Sequence, residues 1–292
     1  MESSKVIVIF DVDGTINQTE VYAVKAYRKA LEEVGKTGFS DKEFIERIGA
    51  PFEQDVRYFF GENQSEQVEI FKTLIQKYWI DGMKESAKTF EGIHQMLEEL
   101  KEKGYKTFIC TGRAPFYAKR LFGDLVSGII SCNGRYILYE GKKLYSRAFT
   151  KKQLDYYVHK LDQGKLGAMF VSDDKALKYH LDQKQEVDLE KEYGIEHLVD
   201  SLEGDFYTFD MFYQSQEHYQ TMVEIFKEDL IINDHGGMGS CDCSTIEFDK
   251  GSAIAYLLDY FHIDKDNAYA FGDGYNDQAM FREVGHGIAM GN

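Results

Sequence analysis

Two aspartates two positions apart, Asp11 and Asp13, directly follow the apolar run Val6-Ile7-Val8-Ile9-Phe10. This spacing sets one carboxylate over the end of a strand and carries the second on the departing turn, Asp11-Val12-Asp13-Gly14-Thr15. Far along the chain another acidic turn, Gly272-Asp273-Gly274-Tyr275-Asn276-Asp277, follows the apolar run Ala268 to Phe271. Between the two, Thr111-Gly112-Arg113 closes a third such run. Lys250 opens a helical stretch, where a cation opposes the helix dipole. Each of these has a plain explanation alone: an Asx turn, a glycine-rich turn, a helix start, a solvated lysine. Together they are several carboxylates, a hydroxyl beside a backbone amide, and a cation. Crowded carboxylates repel one another and hold protons unless a cation neutralises them. An all-oxygen set without Cys or His favours Mg2+.

The elements around these residues follow from hydrophobic periodicity. Lys5 to Phe10 has the length and β-branched content of a strand covered on both faces of a parallel sheet. From there to about residue 85 the period is helical. Val24, Tyr27, Leu31 and Val34 form one stripe that Gly35 ends, Ser40 and Glu43 stand at capping-box spacing, and Val68, Phe71, Leu74 and Ile75 form a further stripe. This block reads as about four helices. A helix through Leu97 and Leu100, a strand Tyr105 to Cys110, a helix opened by Pro115, a strand Gly128 to Cys132 and a hairpin around Gly141-Lys142 come next. Helices and strands then alternate from about 150 to 245, before the helix after Lys250 and the strand Ala268 to Phe271. The pattern predicts an α/β, doubly wound, Rossmann-like parallel sheet with a helical insertion and a separate α/β unit. The predicted boundaries are a core of residues 1–16, 86–149 and 246–292, a helical insertion 17–85, and an α/β cap 150–245. Ligands of such sheets collect outside the carboxyl ends of the strands, where three of the polar clusters fall: Asp11/Asp13, Thr111/Gly112 and Asp273/Asn276/Asp277.

Composition narrows the function classes. The 292 residues are 43% hydrophobic and 14% aromatic, which excludes a disordered chain. The formal charge of −16 disfavours nucleic acid and anionic membrane surfaces as partners, so an anionic ligand must be small and held locally. No stretch approaches the ~18 apolar residues of a membrane span. Four scattered cysteines fit no disulfide scaffold, and a cytoplasmic location is expected.

In this order, the clusters resemble the four motifs of the haloacid dehalogenase superfamily of phosphotransferases. The ending Tyr269 to Met280 with Gly287 to Asn292, Asn133-Gly134 before a hairpin, and Asp249-Lys250-Gly251 before a helix are most similar to its Cof-type branch. The resemblance implies a Mg2+-dependent phosphatase of small phosphorylated metabolites, sugar phosphates or phosphorylated cofactors. It implies that Asp11 is the nucleophile, forming an aspartyl-phosphate, and that Asp13 is the general acid and base. Thr111, Gly112, Arg113, Asn133 and Lys250 match phosphate- or substrate-binding positions, and Asp11, Asp13, Asp273, Asn276 and Asp277 the metal site. The residue types agree, because a carboxylate attacks a phosphoryl group only where charge is offset on both sides. A phosphorylatable receiver-type signalling module and a hexose phosphomutase are the alternatives. Against the receiver stands Asp13, an acid and base that speeds loss of the phosphoryl group.

One departure stands out. Asp13 and Thr111 are 98 positions apart, where Cof-type proteins keep these motifs close. The intervening helical block, with Gly49-Ala50-Pro51 between helices, looks like the small cap of phosphoglycolate-phosphatase-like members. Smaller signals carry less. Cys241-Asp242-Cys243 with His235 fits no common zinc spacing and reads as one strand. Gly236-Gly237-Met238-Gly239 lacks the helix of a dinucleotide loop. Glu186, Asp188, Glu190 and Glu192 read as a solvated surface segment.

Overall fold

The computed structural model describes residues 6–48, 52–61, 66–86, 88–234, 239–274 and 277–291. The expected turn at Gly49-Ala50-Pro51, His235, residues 236–238 and Asn276 therefore lie outside the described residues. β1 (Ile7–Phe10) forms from the first apolar run and is buried at all its positions. The chain then forms α1 (Thr19–Glu33), α2 (Asp41–Ile45), α3 (Phe52–Phe60) and α4 (Glu66–Ser86). Tyr27 and Leu31 of α1 are buried, and Gly35 takes φ +74°, the left-handed conformation that lets the chain leave the helix without strain. Ser40 and Glu43 form the capping box, the Ser40 amide donating to the Glu43 carboxylate at 2.8 Å. Tyr27, Phe44, Phe59 and Phe71 fill the interior of this helical stretch.

The sheet resumes with α5 (Ile93–Glu102), β2 (Lys106–Cys110), α6 (Pro115–Phe122), β3 (Gly128–Ser131) and the hairpin of β4 (Tyr136–Tyr139) and β5 (Lys142–Ser146). A second unit follows, of α7 (Lys151–Gly164), β6 (Gly167–Val171), β7 (Ala176–Tyr179), α8 (Gln183–Tyr193), β8 (Leu198–Val199), β9 (Thr208–Phe212), α9 (Gln216–Phe226), β10 (Leu230–Asp234) and β11 (Ser240–Thr245). The chain ends in α10 (Lys250–Phe261), β12 (Ala268–Gly272), α11 (Gln278–Glu283) and β13 (His286–Ala289).

Among the described residues the first sheet has seven strands in the order β13-β12-β1-β2-β3-β4-β5, parallel from β13 to β3 and antiparallel in the hairpin. Leu97 of α5 and Ala118 and Phe122 of α6 cover one face, and Ile254 and Leu257 of α10 the other. This is the doubly wound α/β architecture the periodicity predicts. With β1 between β12 and β2, the chain departs to both sides of β1, and this switch point is where such sheets bind ligands.

The second sheet runs β10-β11-β9-β6-β7-β8. Its Phe170, Phe209, Met211, Cys241 and Cys243 pack with Leu161 of α7 and Phe226 of α9. Cys241 and Cys243 are thus buried free thiols on one face of β11. The acidic stretch after Asp182 is not merely a solvated segment. It forms α8, opened by an Asp182 to Gln185 capping box, with Leu189 and Tyr193 buried beside Phe116 and Tyr117 of α6. The four-residue spacing of those two apolar side chains is hidden in the sequence by the charges between them.

Candidate active site

The Asp11 amide donates to the Phe271 carbonyl at 2.9 Å, which ties the residue after β1 to the strand beside it. This brings the two acidic turns together, and one carboxylate oxygen from each of Asp11, Asp273 and Asp277 lies within 4.8 Å of the others. Lys250 Nζ donates to Asp11 Oδ1 at 2.7 Å and to Asp277 Oδ1 at 2.8 Å. Both Lys250 and Asp277 are buried, at 3% and 0% exposure. A cation at a helix N-terminus is unfavourable, and here two carboxylates offset it while Asp249 caps the helix with Ser252. Asp277 Oδ2 accepts from the amides of Asp273 at 3.1 Å and Gly274 at 3.0 Å, so this side chain also shapes the turn that presents Asp273.

Glycine is required where the turns interlock. Gly14 has φ +74°, and a Cβ on it would stand 1.8 Å from Asp273 Oδ2. Gly14 belongs to the motif around Asp11 and Asp13, yet only the fold gives it this role, because Asp273 is far away in sequence.

Charge in this pocket is out of balance. Burial pushes the Asp11 carboxyl up to about 7, against the pull of Lys250, and Asp277 adds to the rise. Burial, then Asp277, pushes Asp273 up to about 6. Burial would lower the Lys250 ammonium, but Asp11 and Asp277 outweigh it and hold the amine charged, well above the ordinary lysine range. Asp11 and Asp277 thus share the buried Lys250, with the more exposed Asp273 beside them, and oxygen is the donor throughout. That donor set fits a hard divalent cation such as Mg2+.

Asp13 stands apart from this group. Arg113 Nη2 donates to Asp13 Oδ2 at 3.2 Å, with the side chains 26% and 48% exposed respectively. Arg113 also lies over the Tyr117 ring, 5.3 Å from its centroid. The buried Thr111 accepts the Arg113 amide on Oγ1 at 3.2 Å and, through its carbonyl, the Asn133 amide at 3.2 Å. Asn133 takes a left-handed backbone, φ 51° and ψ 38°, which lays its side chain over Gly112, where a Cβ would be 3.1 Å from Asn133 Oδ1. The fold therefore sets Asn133, in the turn after β3, against the Thr111-Gly112-Arg113 turn that reaches Asp13, and draws Asp11, Lys250, Asp273 and Asp277 into the carboxylate group. Missing from the sequence reading is Asp242, which accepts from Asn133 Nδ2 at 2.9 Å. Its signal is strand alternation: a residue between two buried cysteines must face the other way.

Residues 82–292 match the model of a family described as haloacid dehalogenase-like hydrolase, and residues 8–122 match a second family model of the same description. The chain belongs to the haloacid dehalogenase-like hydrolases. This hydrolase is 28% identical over 225 residues to the 5-amino-6-(5-phospho-D-ribitylamino)uracil phosphatase YwtE of Bacillus subtilis, covering 65% of this chain and 77% of that protein. It is 24% identical over 204 residues to the Escherichia coli phosphatase of the same description, YbjI, covering 67% and 75%. Its fold is similar to those of a Geobacillus kaustophilus protein (TM-score 0.64, 21% identity, 99% of this chain and 88% of that chain) and of BT1666 from Bacteroides thetaiotaomicron (0.62, 16%, 100% and 87%). The hydrolase is an enzyme of the phosphatase kind, acting on phosphate monoesters. Among the described residues no helix is long and apolar enough to cross a membrane.

Proposed function

We propose that this hydrolase is a Mg2+-dependent phosphatase that frees phosphate from a small metabolite, a sugar phosphate or a phosphorylated cofactor, through an aspartyl-phosphate on Asp11. One observation carries the reading: Lys250 is bonded to both Asp11 and Asp277, beside a group of three converging carboxylates. Asp11 attacks phosphorus, a P–O bond forms to its carboxylate, and the P–O bond to the leaving oxygen breaks. Asp13 donates a proton to that oxygen. Water then attacks phosphorus, Asp13 takes its proton, and the bond to Asp11 breaks to release inorganic phosphate.

Attack requires an ionised Asp11. Lys250 favours that form against the burial that opposes it. Thr111, the Gly112 amide, Arg113 and Asn133 hold the phosphoryl oxygens. Asp11, Asp273 and Asp277 would hold Mg2+, which when bound offsets the charge of phosphoryl group and nucleophile together. Asp13 is assigned to proton transfer as well as to the metal site, and its carboxylate also stands with Arg113. Residues 17–85 and 150–245 are assigned as the two insertions around this site. The two relatives named for a ribityl phosphate support a substrate with a small polyol or sugar-like leaving group.

The test is release of phosphate from p-nitrophenyl phosphate with and without Mg2+, followed by a panel of sugar phosphates, nucleotides and cofactor phosphates. Activity is expected only with the metal and is expected to vanish in Asp11→Asn. Turnover that survives this substitution refutes the nucleophile.

A further inference from the structure

Strand alternation sorts Cys241-Asp242-Cys243 onto two faces of β11. The cysteines are buried with Phe209, Met211 and Phe226 on the side that α7 and α9 cover. Asp242 takes the opposite side, where its Oδ2 accepts from Asn133 Nδ2 at 2.9 Å and from Asn233 Nδ2 at 3.5 Å. The first of these bonds joins the second sheet to the turn after β3. Asn133 is 5% exposed, its amide is bonded to the Thr111 carbonyl, and its carboxamide covers Gly112. A carboxamide presents a donor at one end and an acceptor at the other, so its partners decide which way round it lies. An ionised carboxylate only accepts, and it fixes the nitrogen toward itself.

We propose that Asp242 is a positioning residue: it holds the Asn133 carboxamide against the Thr111-Gly112-Arg113 turn, so that seating of the second sheet and readiness of that turn are one event. Of the proposed phosphatase reading it needs only the role of that turn in binding phosphate. Asp242 touches no reacting atom and acts through Asn133.

The test compares Asp242→Ala, Asp242→Asn, Asn133→Ala and the double variant with Ala at both positions, in the full chain with Mg2+. Two readouts are taken: hydrogen–deuterium exchange over residues 110–114 and 131–135 without substrate, and inhibition of p-nitrophenyl phosphate hydrolysis by inorganic phosphate. Loss of a hydrogen bond to a charged group predicts, in Asp242→Ala, about tenfold faster exchange and about tenfold weaker inhibition. Asp242→Asn keeps an acceptor and is expected within roughly threefold of wild type in both. The double variant is expected to be no worse than Asn133→Ala. Unchanged exchange in Asp242→Ala, an Asp242→Asn as impaired as the Ala variant, or effects that multiply in the double variant would each overturn the proposal. Asp242→Val, which suits a strand, replaces the Ala variant if that chain does not fold. If wild type hydrolyses no phosphate ester, the phosphatase reading fails, and the exchange comparison still decides the role of Asp242.

Discussion

Lys250 is the only lysine or arginine whose side chain the described residues bond to Asp11, and it bonds Asp277 as well. Removing one partner of a buried ion pair leaves uncompensated charge, which costs about 3–5 kcal/mol. Lys250→Met is therefore expected to lower the free energy of unfolding, read from urea titration, by an amount of that order and to abolish phosphate release. A variant with unchanged stability would show that the lysine is not the counter-ion of both carboxylates. Gly14→Ala tests the interlock. A Cβ within 1.8 Å of Asp273 Oδ2, at φ +74°, forces the two acidic turns apart and strains the backbone. A loss of about 1–3 kcal/mol and weaker Mg2+ binding by calorimetry are expected. The chemistry-bearing residues at this scale were legible because each follows a strand end or opens a helix, and those positions are written in the periodicity. Asp242 was not, since nothing local distinguishes an aspartate aimed at another unit of the fold from one aimed at water.

In the helical stretch, α1 and α3 meet through a buried acid. Asp55 of α3 is 1% exposed and accepts from the Tyr27 hydroxyl, while its Oδ1 has no hydrogen-bond partner and Arg47 Nε stands 3.7 Å away. Burial pushes this carboxyl up to about 7, against the hydrogen bond from Tyr27 and the charge of Arg47. The unfolded chain ionises near the ordinary value of 3.8, so it loses its proton first and gains on the folded state as pH rises from about 4 to about 7. Stability of the wild type is expected to fall across that window by roughly 2–4 kcal/mol relative to Asp55→Asn, as read from urea unfolding at a series of pH values. Parallel curves for the two proteins would refute the buried acid. Capping shows what was and was not visible at this scale. Ser40 and Glu43 announced α2, but Asp182 and Gln185 open α8 with the same device, and the acidic residues after them concealed its apolar side.

The whole molecule presents two sheets and a helical stretch, and chain from each reaches the site: Gly14 donates its amide to Thr19 Oγ1 of α1 at 2.9 Å, and Asp242 of β11 meets Asn133. The doubly wound sheet was readable from β12 to the hairpin, because buried parallel strands are continuous apolar runs, but the edge strand β13, largely exposed, carries no such run and was not predicted. How the helical stretch and the second sheet meet was not readable, because it depends on side chains without a local pattern. Binding of a metal to the folded state alone stabilises it by mass action, by about 2.7 kcal/mol at a hundred times the dissociation constant. Mg2+ is therefore expected to raise the melting temperature of the wild type, and to leave that of Asp273→Asn nearly unchanged. Equal shifts in both proteins would place the bound ion elsewhere.

The helical stretch also touches the second sheet directly: Lys72 Nζ of α4 lies over the ring of Tyr213, 5.1 Å from its centroid, and the Tyr213 hydroxyl donates to Asp234. Such a contact makes the two units poor candidates for exchange one at a time. A chimera that borrows either from a relative would set a foreign surface against Tyr213 or against Lys72, so grafts between members of the family should transplant both together.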